Sequence, residues 1–367
     1  MTLSDSWKHS YQVDGETVIH VGRHVLSDVG PWIAANRRWR EVFVIVDERV
    51  AGWYLEPLLS GLKFGGFQVR SELVQPGESS KSLATADGIY DRLGSSNFPR
   101  DGVIIGLGGG MVTDLAGFVA ATWHRGVAHV LCPTTLEADI DAAIGGKTAV
   151  NHPSGKNLIG AFHQPRLVAV DVHCLETLPD RDLSAGLAES IKHALITDAE
   201  FLNWQDQHAS NILEKSPGVM EELISRNITI KSSIVSRDAR EQTGLRASLN
   251  FGHTIGHAIE SSCDYRLRHG ECVALGMVAA ARISAARELL TDQDVVRIMH
   301  TLERFGLPTT GAELPATSEL MNRLLSDKKV AGGAVKFVLL EGIGLCGMYD
   351  DIPPSMIESA IDSLRAS

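Results

Sequence analysis

Val103-Ile-Ile-Gly-Leu107 is an apolar run with no polar alternation, and it leads straight into Gly108-Gly-Gly110 and then a helical stretch over residues 112–121. A strand that is apolar on both faces must be covered on both, which is the situation of a strand inside a parallel α/β sheet. A glycine turn between such a strand and a helix lets the backbone approach a pyrophosphate at the helix N-terminus. Residues 41–47, 127–131 and 167–170 repeat the strand pattern, and residues 82–93 place Leu83, Ala86, Ile89, Tyr90 and Leu93 at helical spacing. Strands alternating with helices predict an α/β, Rossmann-like nucleotide-binding domain in the first half. The glycines are not the G-x-G-x-x-G fingerprint, because Met111 or Thr113 stands where the last glycine would fall. Gly145-Gly-Lys-Thr148 is not a P-loop either, because Asp141 occupies its first glycine position. Asp114 inside the helix and Asp47 at an earlier strand end are candidate polar contacts to a nucleotide.

From Pro179 the character changes. Helical periodicity dominates over residues 182–196, 199–214, 218–238, 249–262 and 270–290, and residues 335–340 read as a lone strand. Proline suits a helix start, so the boundary falls near Leu178: an α/β domain over 1–178 and an all-α domain over 179–367. A length of 367 residues fits two domains at about 150 residues each. The formal charge of −11 argues against nucleic acid or an anionic membrane as partner. The longest uncharged apolar stretch, around residues 102–112, is far short of the ~18 needed to span a bilayer. The N-terminus has no apolar signal core, and the five cysteines are odd in number with no Cys-x-x-Cys. These features predict a cytoplasmic protein without a disulfide framework or cysteine-based zinc site.

Arg246, Asn250, His253 and His257 are spaced four, three and four apart, so on one helix they point within a span of about 60°. The residues between them, such as Leu249, Phe251, Ile255 and Ile259, are core-like. A stripe of two histidines, an amide and a guanidinium amid apolar residues, with a third histidine at His269, points to metal binding or catalysis. Glu189 and Lys192 form a second stripe one turn apart on an otherwise apolar helix. One glutamate and two histidines with a position left open is the ligand set of a catalytic zinc site, but spacing leaves open which two of His253, His257 and His269 take part. Basic residues beside small-residue loops, Arg125, Lys147 and Lys156, with Lys231, Arg246 and the Lys328-Lys329 pair further on, fit a small substrate bearing phosphate and carboxylate.

The motifs Pro76-Gly-Glu-Ser-Ser-Lys81, Gly108-Gly-Gly-Met-Val-Thr-Asp114, Pro133-Thr-Thr135, Asp141-Ala-Ala-Ile-Gly-Gly-Lys-Thr148, Asn151-His-Pro-Ser-Gly-Lys-Asn157, Ala185-Gly-Leu-Ala-Glu-Ser-Ile-Lys192, Leu245-Arg-Ala-Ser-Leu-Asn-Phe-Gly-His253 and His269-Gly-Glu271 occur in this order. Together they resemble the 3-dehydroquinate synthases among the sugar phosphate cyclases, from about Val21 to Leu340. The resemblance implies a dehydroquinate synthase-like fold, NAD as a recycled cofactor and a divalent metal, zinc with cobalt as alternative. It implies Glu189, His253 and His269 as metal ligands and leaves His257 to face the substrate. Asp141, Lys147, Asn157, Lys192, Lys231, Arg246, Asn250 and His257 match substrate-contacting positions, as does Lys328 of the lysine pair. Arg125 matches an arginine given across a homodimer. Asp47, Glu78, Lys81, Gly109, Gly110, Asp114, Thr134, Thr135 and Thr177 match cofactor positions, with Lys147 and Lys156 beside them.

The implied reaction converts 3-deoxy-arabino-heptulosonate 7-phosphate to 3-dehydroquinate and phosphate in the shikimate pathway. Alternatives are a cyclase acting on sedoheptulose 7-phosphate or a related sugar phosphate, and a metal-dependent polyol dehydrogenase. The chain departs from the family pattern at Thr113, Glu137, Asp139 and Ala142-Ala143, and by one extra residue near Gln242-Thr243.

Overall fold

The computed structural model describes residues 7–13, 15–36, 39–263, 266–311, 313–331 and 335–365, with backbone alone at 36 and 326–331. The chain divides into two compact units: one holds Met1–Leu178 with Met220–Arg240, the other Pro179–Val219 with Glu241–Ser367.

In the first unit the strands are β1 (Trp7–Val13), β2 (Thr17–Gly22), β3 (Glu41–Asp47), β4 (Gln68–Val74), β5 (Val103–Gly108), β6 (Ala128–Pro133), β7 (Lys147–His152), β8 (Gly155–Phe162) and β9 (Leu167–Asp171). Seven of them form one sheet in the order β1-β2-β9-β6-β5-β3-β4, while β7 and β8 make a separate hairpin. Only the β1–β2 pair of the large sheet is antiparallel. The apolar runs behave as their composition requires: β5 and β9 are buried at every residue, and β3 at all but its ends. Val42, Val44, Val46, Val103, Ile105 and Leu107 pack in one cluster with Leu58, Leu62 and Trp32 from the covering helices α1 (Val29–Asn36) and α2 (Glu48–Phe64). Helices α3 (Leu83–Ser95) and α4 (Gly110–Thr122) follow.

The helical elements continue with α5 (Asp180–Thr197), α6 (Ala199–Gln207), α7 (Ala209–Leu213), α8 (Pro217–Arg237), α9 (His253–Ser262), α10 (His269–Ala286), α11 (Asp292–Arg304), α12 (Thr317–Ala331) and α13 (Pro354–Ser363). Four details differ from the sequence expectation. Most of α8 lies in 220–240, which clusters with the sheet unit rather than with the helices around it. The stretch expected as one helix over 199–214 breaks at His208, whose φ/ψ of −103°/13° leave the helical region. The expected lone strand is β10 (Phe337–Gly342), paired antiparallel with β11 (Leu345–Tyr349), so this unit is helical with one hairpin. The helix expected to start near Leu249 starts at His253, because Phe251 is extended and Gly252 left-handed at φ 78°. Arg246 and Asn250 therefore sit on a separate 3-10 turn rather than on the histidine helix.

Candidate functional site

In the sheet unit, β3 and β5 are neighbours, yet the chain leaves them in opposite directions, to β4 on one side and β6 on the other. Open α/β sheets bind ligands at the carboxyl ends of strands at such a switch point. Asp47 closes β3 and caps α2, its Oδ1 accepting from Arg49 N at 2.8 Å. Gly109 and Gly110 follow β5, Gly109 extended as the N-cap of α4 and Gly110 its first residue. The first N–H groups of α4 have no intrahelical acceptor, which makes this end suited to an anion. Thr134 N donates to Gly108 O at 3.0 Å beside it, and the buried Thr134 hydroxyl has no hydrogen-bond partner among the described residues. Thr135 Oγ1 accepts from Ala138 N at 3.3 Å, and Thr177 Oγ1 lies 2.8 Å from Tyr54 OH.

Several charged groups in this unit are paired with one another. Lys81 is buried, and its Nζ donates to Asp114 Oδ2 and Asn157 Oδ1, both at 2.5 Å. Burial pushes the Asp114 carboxyl up, and Lys81 only partly counters it. Lys231 on α8 is also buried and donates to both the backbone oxygen and Oδ1 of Asp141 at 2.5 Å. Lys156 Nζ lies 3.8 Å from Glu78. Lys147 and Arg125 are exposed, and Arg125 has a left-handed backbone at φ 65°.

In the helical unit, α5 carries Glu189 and Lys192, each 1% exposed, with Lys192 Nζ donating to Glu189 Oε2. The other oxygen, Glu189 Oε1, accepts no hydrogen bond among the described residues; His253 Nε2 lies 3.5 Å from it and His269 Nε2 3.6 Å. Ligands about 2.1 Å from a tetrahedral zinc ion stand about 3.4 Å apart, so this spacing suits an ion held among them. Protonation agrees. Burial alone would raise the Glu189 carboxyl, but Lys192, His253 and His269 together hold it well below the usual range. Burial, then the Lys192 charge, lowers His253 to about 3. A carboxylate and a neutral imidazole are the forms that bind metal.

The outer ring nitrogens are held as well. His253 Nδ1 meets Phe251 O at 3.1 Å and His269 Nδ1 meets Glu260 Oε2 at 3.3 Å. A donating Nδ1 leaves the Nε2 lone pair facing inward. Glu260, missed in the sequence reading, lies seven residues after His253, which is the spacing that would have exposed it. His257 is exposed; its ring centroid is 5.2 Å from that of His253 and 5.7 Å from that of His269. One ring nitrogen from each of the three histidines lies within 4.8 Å of the others.

Close backbone approach brings these donors together. A Cβ on Gly270 would meet Ala185 O at 1.9 Å, so only glycine lets α10 lie against α5 with His269 near Glu189. A Cβ on Gly252 would meet Met277 Cγ at 2.5 Å, and its left-handed φ disfavours any other residue. Arg181 clamps the arrangement, donating through Nε and Nη2 to Glu271 at 2.6 and 2.8 Å. Arg246 is buried and Asn250 exposed on the turn preceding α9. The Lys328 side chain lies outside the described residues.

The two-unit fold that carries these groups is that of the sugar phosphate cyclases. The chain is similar to 2-epi-5-epi-valiolone synthase from Streptomyces hygroscopicus subsp. jinggangensis 5008, solved with NAD+ and Zn2+: 27% identical, 98% of this chain and 99% of that one covered, TM-score 0.88. A 2-deoxy-scyllo-inosose synthase solved with carbaglucose-6-phosphate, NAD+ and Co2+ is likewise 27% identical, with 97% and 100% covered and TM-score 0.88. Residues 71–185 match the family model for the 3-dehydroquinate synthase N-terminal region, and residues 186–330 that for the C-terminal region. The 3-dehydroquinate synthase of Desulforamulus reducens is 41% identical over 338 residues, 91% of this chain and 93% of its own. The chain belongs to the 3-dehydroquinate synthase family.

Proposed function

We propose that this chain converts 3-deoxy-arabino-heptulosonate 7-phosphate to 3-dehydroquinate and phosphate, an NAD- and metal-dependent, phosphate-eliminating ring closure of the shikimate pathway. The observation that carries this reading is the convergence of Glu189 Oε1 with the Nε2 atoms of His253 and His269 at 3.5 and 3.6 Å, in a chain of this family. NAD and a divalent ion, zinc or cobalt, accompany the same fold in the cyclases it resembles. When bound, NAD+ would take one hydride from the substrate and return it within the same turnover, and the metal would polarise the oxygen concerned.

Glu189, His253 and His269 hold the metal, with Lys192 fixing the far oxygen of Glu189. The cofactor residues are those at the β3–β5 switch point, with Glu78, Lys81, Asp114 and Thr177. Arg246 meets the substrate carboxylate with two parallel hydrogen bonds. Asp141, Lys147, Asn157, Lys231, Asn250, His257 and Lys328 orient the remaining groups. The exposure of His257, against the burial of Glu189, supports a ring turned to substrate. The substrate's own phosphate takes the proton as it leaves, so these residues hold one conformer and exclude water.

The chain acts as a homodimer in which the partner subunit's Arg125 completes each site; the left-handed backbone there is the kind of strain that functional positions retain. Five cysteines outside any disulfide suit a reducing cytoplasm. No helix among the described residues is long and apolar enough to cross a membrane. The test is phosphate release over many turnovers with substoichiometric NAD and no NADH accumulation. One NADH per substrate would establish the polyol dehydrogenase instead, and preference for sedoheptulose 7-phosphate another cyclase.

A further inference from the structure

We propose that Asn151 is a positioning residue that locks the nucleotide residues Glu78 and Lys81 and the substrate residue Asn157 into one arrangement. The identity of those ligands rests on the function proposed above; the arrangement itself does not. Asn151 stands near the end of β7, where the hairpin turns toward β8, and three hydrogen bonds leave it in three directions. Its Nδ2 donates to Glu78 Oε1 at 2.8 Å, its Oδ1 accepts from Asn157 N at 3.0 Å, and its backbone N donates to Lys81 O at 2.8 Å. Asn157 has a left-handed backbone at φ 55°, a conformation that needs a local hold. With its N–H fixed by Asn151, Asn157 presents Oδ1 to Lys81 Nζ at 2.5 Å, and Lys81 is anchored in turn on Asp114. The contacts close a ring from Asn151 through Asn157 and Lys81 back to Asn151, with Glu78 attached.

An amide is what this position requires: a donor for a carboxylate and an acceptor for an N–H on one planar group. Asn151→Asp keeps the acceptor for Asn157 but sets a second carboxylate against Glu78. Asn151→Ala releases both sides. The side chain touches none of the reacting groups in the proposed reading, so its effect is transmitted through Glu78 and Asn157.

The experiment measures the NAD dissociation constant of the metal-loaded enzyme by calorimetry, which needs no turnover, together with KM for the heptulosonate phosphate. In Asn151→Asp the NAD constant rises about tenfold while substrate KM stays within about threefold. In Asn151→Ala both rise about tenfold, and Asn151→Ala/Asn157→Ala is no worse in substrate KM than Asn157→Ala alone. An NAD constant within twofold of wild type in both variants, whatever their melting temperatures, overturns the proposal, as does a double variant whose losses multiply. Wild type that releases no phosphate overturns the cyclase reading and leaves the NAD measurement to decide on Asn151.

Discussion

In the sheet unit Lys81 and Lys231 each rest on a carboxylate at 2.5 Å, whereas in the helical unit Glu189 Oε1 and two imidazole nitrogens stand 3.5 and 3.6 Å apart with no hydrogen bond between them. The paired side chains hold one another, so removing one loosens a network that still has other members. The converging donors meet across longer gaps. Their spacing is maintained by backbone contacts and outer hydrogen bonds, and in the proposed function each donor is needed for the ion. Losses should therefore be graded in the first region and abrupt in the second.

The largest effect belongs to Glu189→Ala. It removes a proposed ligand and leaves the Lys192 ammonium buried without its carboxylate, and breaking a buried pair typically costs about 3–5 kcal/mol. We expect no retained metal by elemental analysis, activity down by about a thousandfold or more, and a melting temperature no longer sensitive to chelator. His269→Ala should also lose the metal, while His257→Ala should keep it. Retained metal in Glu189→Ala with loss in His257→Ala would make the three histidines the chelate.

Gly270→Ala tests whether backbone approach sets the donor spacing. The added methyl meets Ala185 O at 1.9 Å, and neither α5 nor α10 can yield without moving Glu189 from His269. Overpacking against a side chain costs about 1–3 kcal/mol, and against backbone the loss should reach the top of that range or exceed it. Gly52→Ala, on the sheet unit's α2 with nothing within 4 Å, should be neutral or stabilising by up to about 1 kcal/mol. Denaturant midpoints and metal affinity for the pair check this; equal effects would break the comparison.

Smaller again is Arg246→Lys, which keeps the charge and loses the planar fork. The specificity constant for the carboxylated heptulosonate phosphate should fall about ten- to a hundredfold, while that for sedoheptulose 7-phosphate changes little. A silent substitution would reduce Arg246 to a buried structural cation.

The same contrast governs what could be read from residues alone. The sheet unit announced itself because doubly buried strands must be continuous apolar runs, and β3, β5 and β9 are. Its ligand-facing loops gave weaker signals: Asn151 looks like any turn residue until Glu78 and Asn157 are folded against it. In the helical unit the spacing marked Arg246, Asn250, His253 and His257 as a group but not their conformation. A four-three-four stripe fits an uninterrupted helix, and nothing local showed that Gly252 would break it in order to pass close to Met277. Spacing left the choice among the three histidines open, and Glu189, near which His253 and His269 stand, is distant in sequence and placed by helix packing. The excursion of 220–240 to the sheet unit has no local signature, because α8 carries ordinary helical periodicity.

Asp139 departs from the pairing found elsewhere in the sheet unit, and it offers the finest test. It is fully buried, and neither carboxylate oxygen has a hydrogen-bond partner among the described residues. Burial, and then the nearby Asp171 carboxylate, push its carboxyl well above the usual range. In the fold it therefore keeps its proton at a pH where the unfolded chain, with an ordinary value near 3.9, has released it. Stability is accordingly lost as pH rises above the unfolded value, by about 1.4 kcal/mol per pH unit, until the folded group ionises and the loss levels off. The substitution Asp139→Asn leaves an unpaired amide at a cost that does not vary with pH, so the slope rather than the absolute stability carries the answer. Urea midpoints of wild type and Asp139→Asn from about pH 4.5 to 8.5, at fixed metal and NAD, should diverge in the variant's favour as pH rises. Parallel curves would mean that Asp139 is solvated or paired after all, and the sheet unit would then contain no unpaired acid at this position.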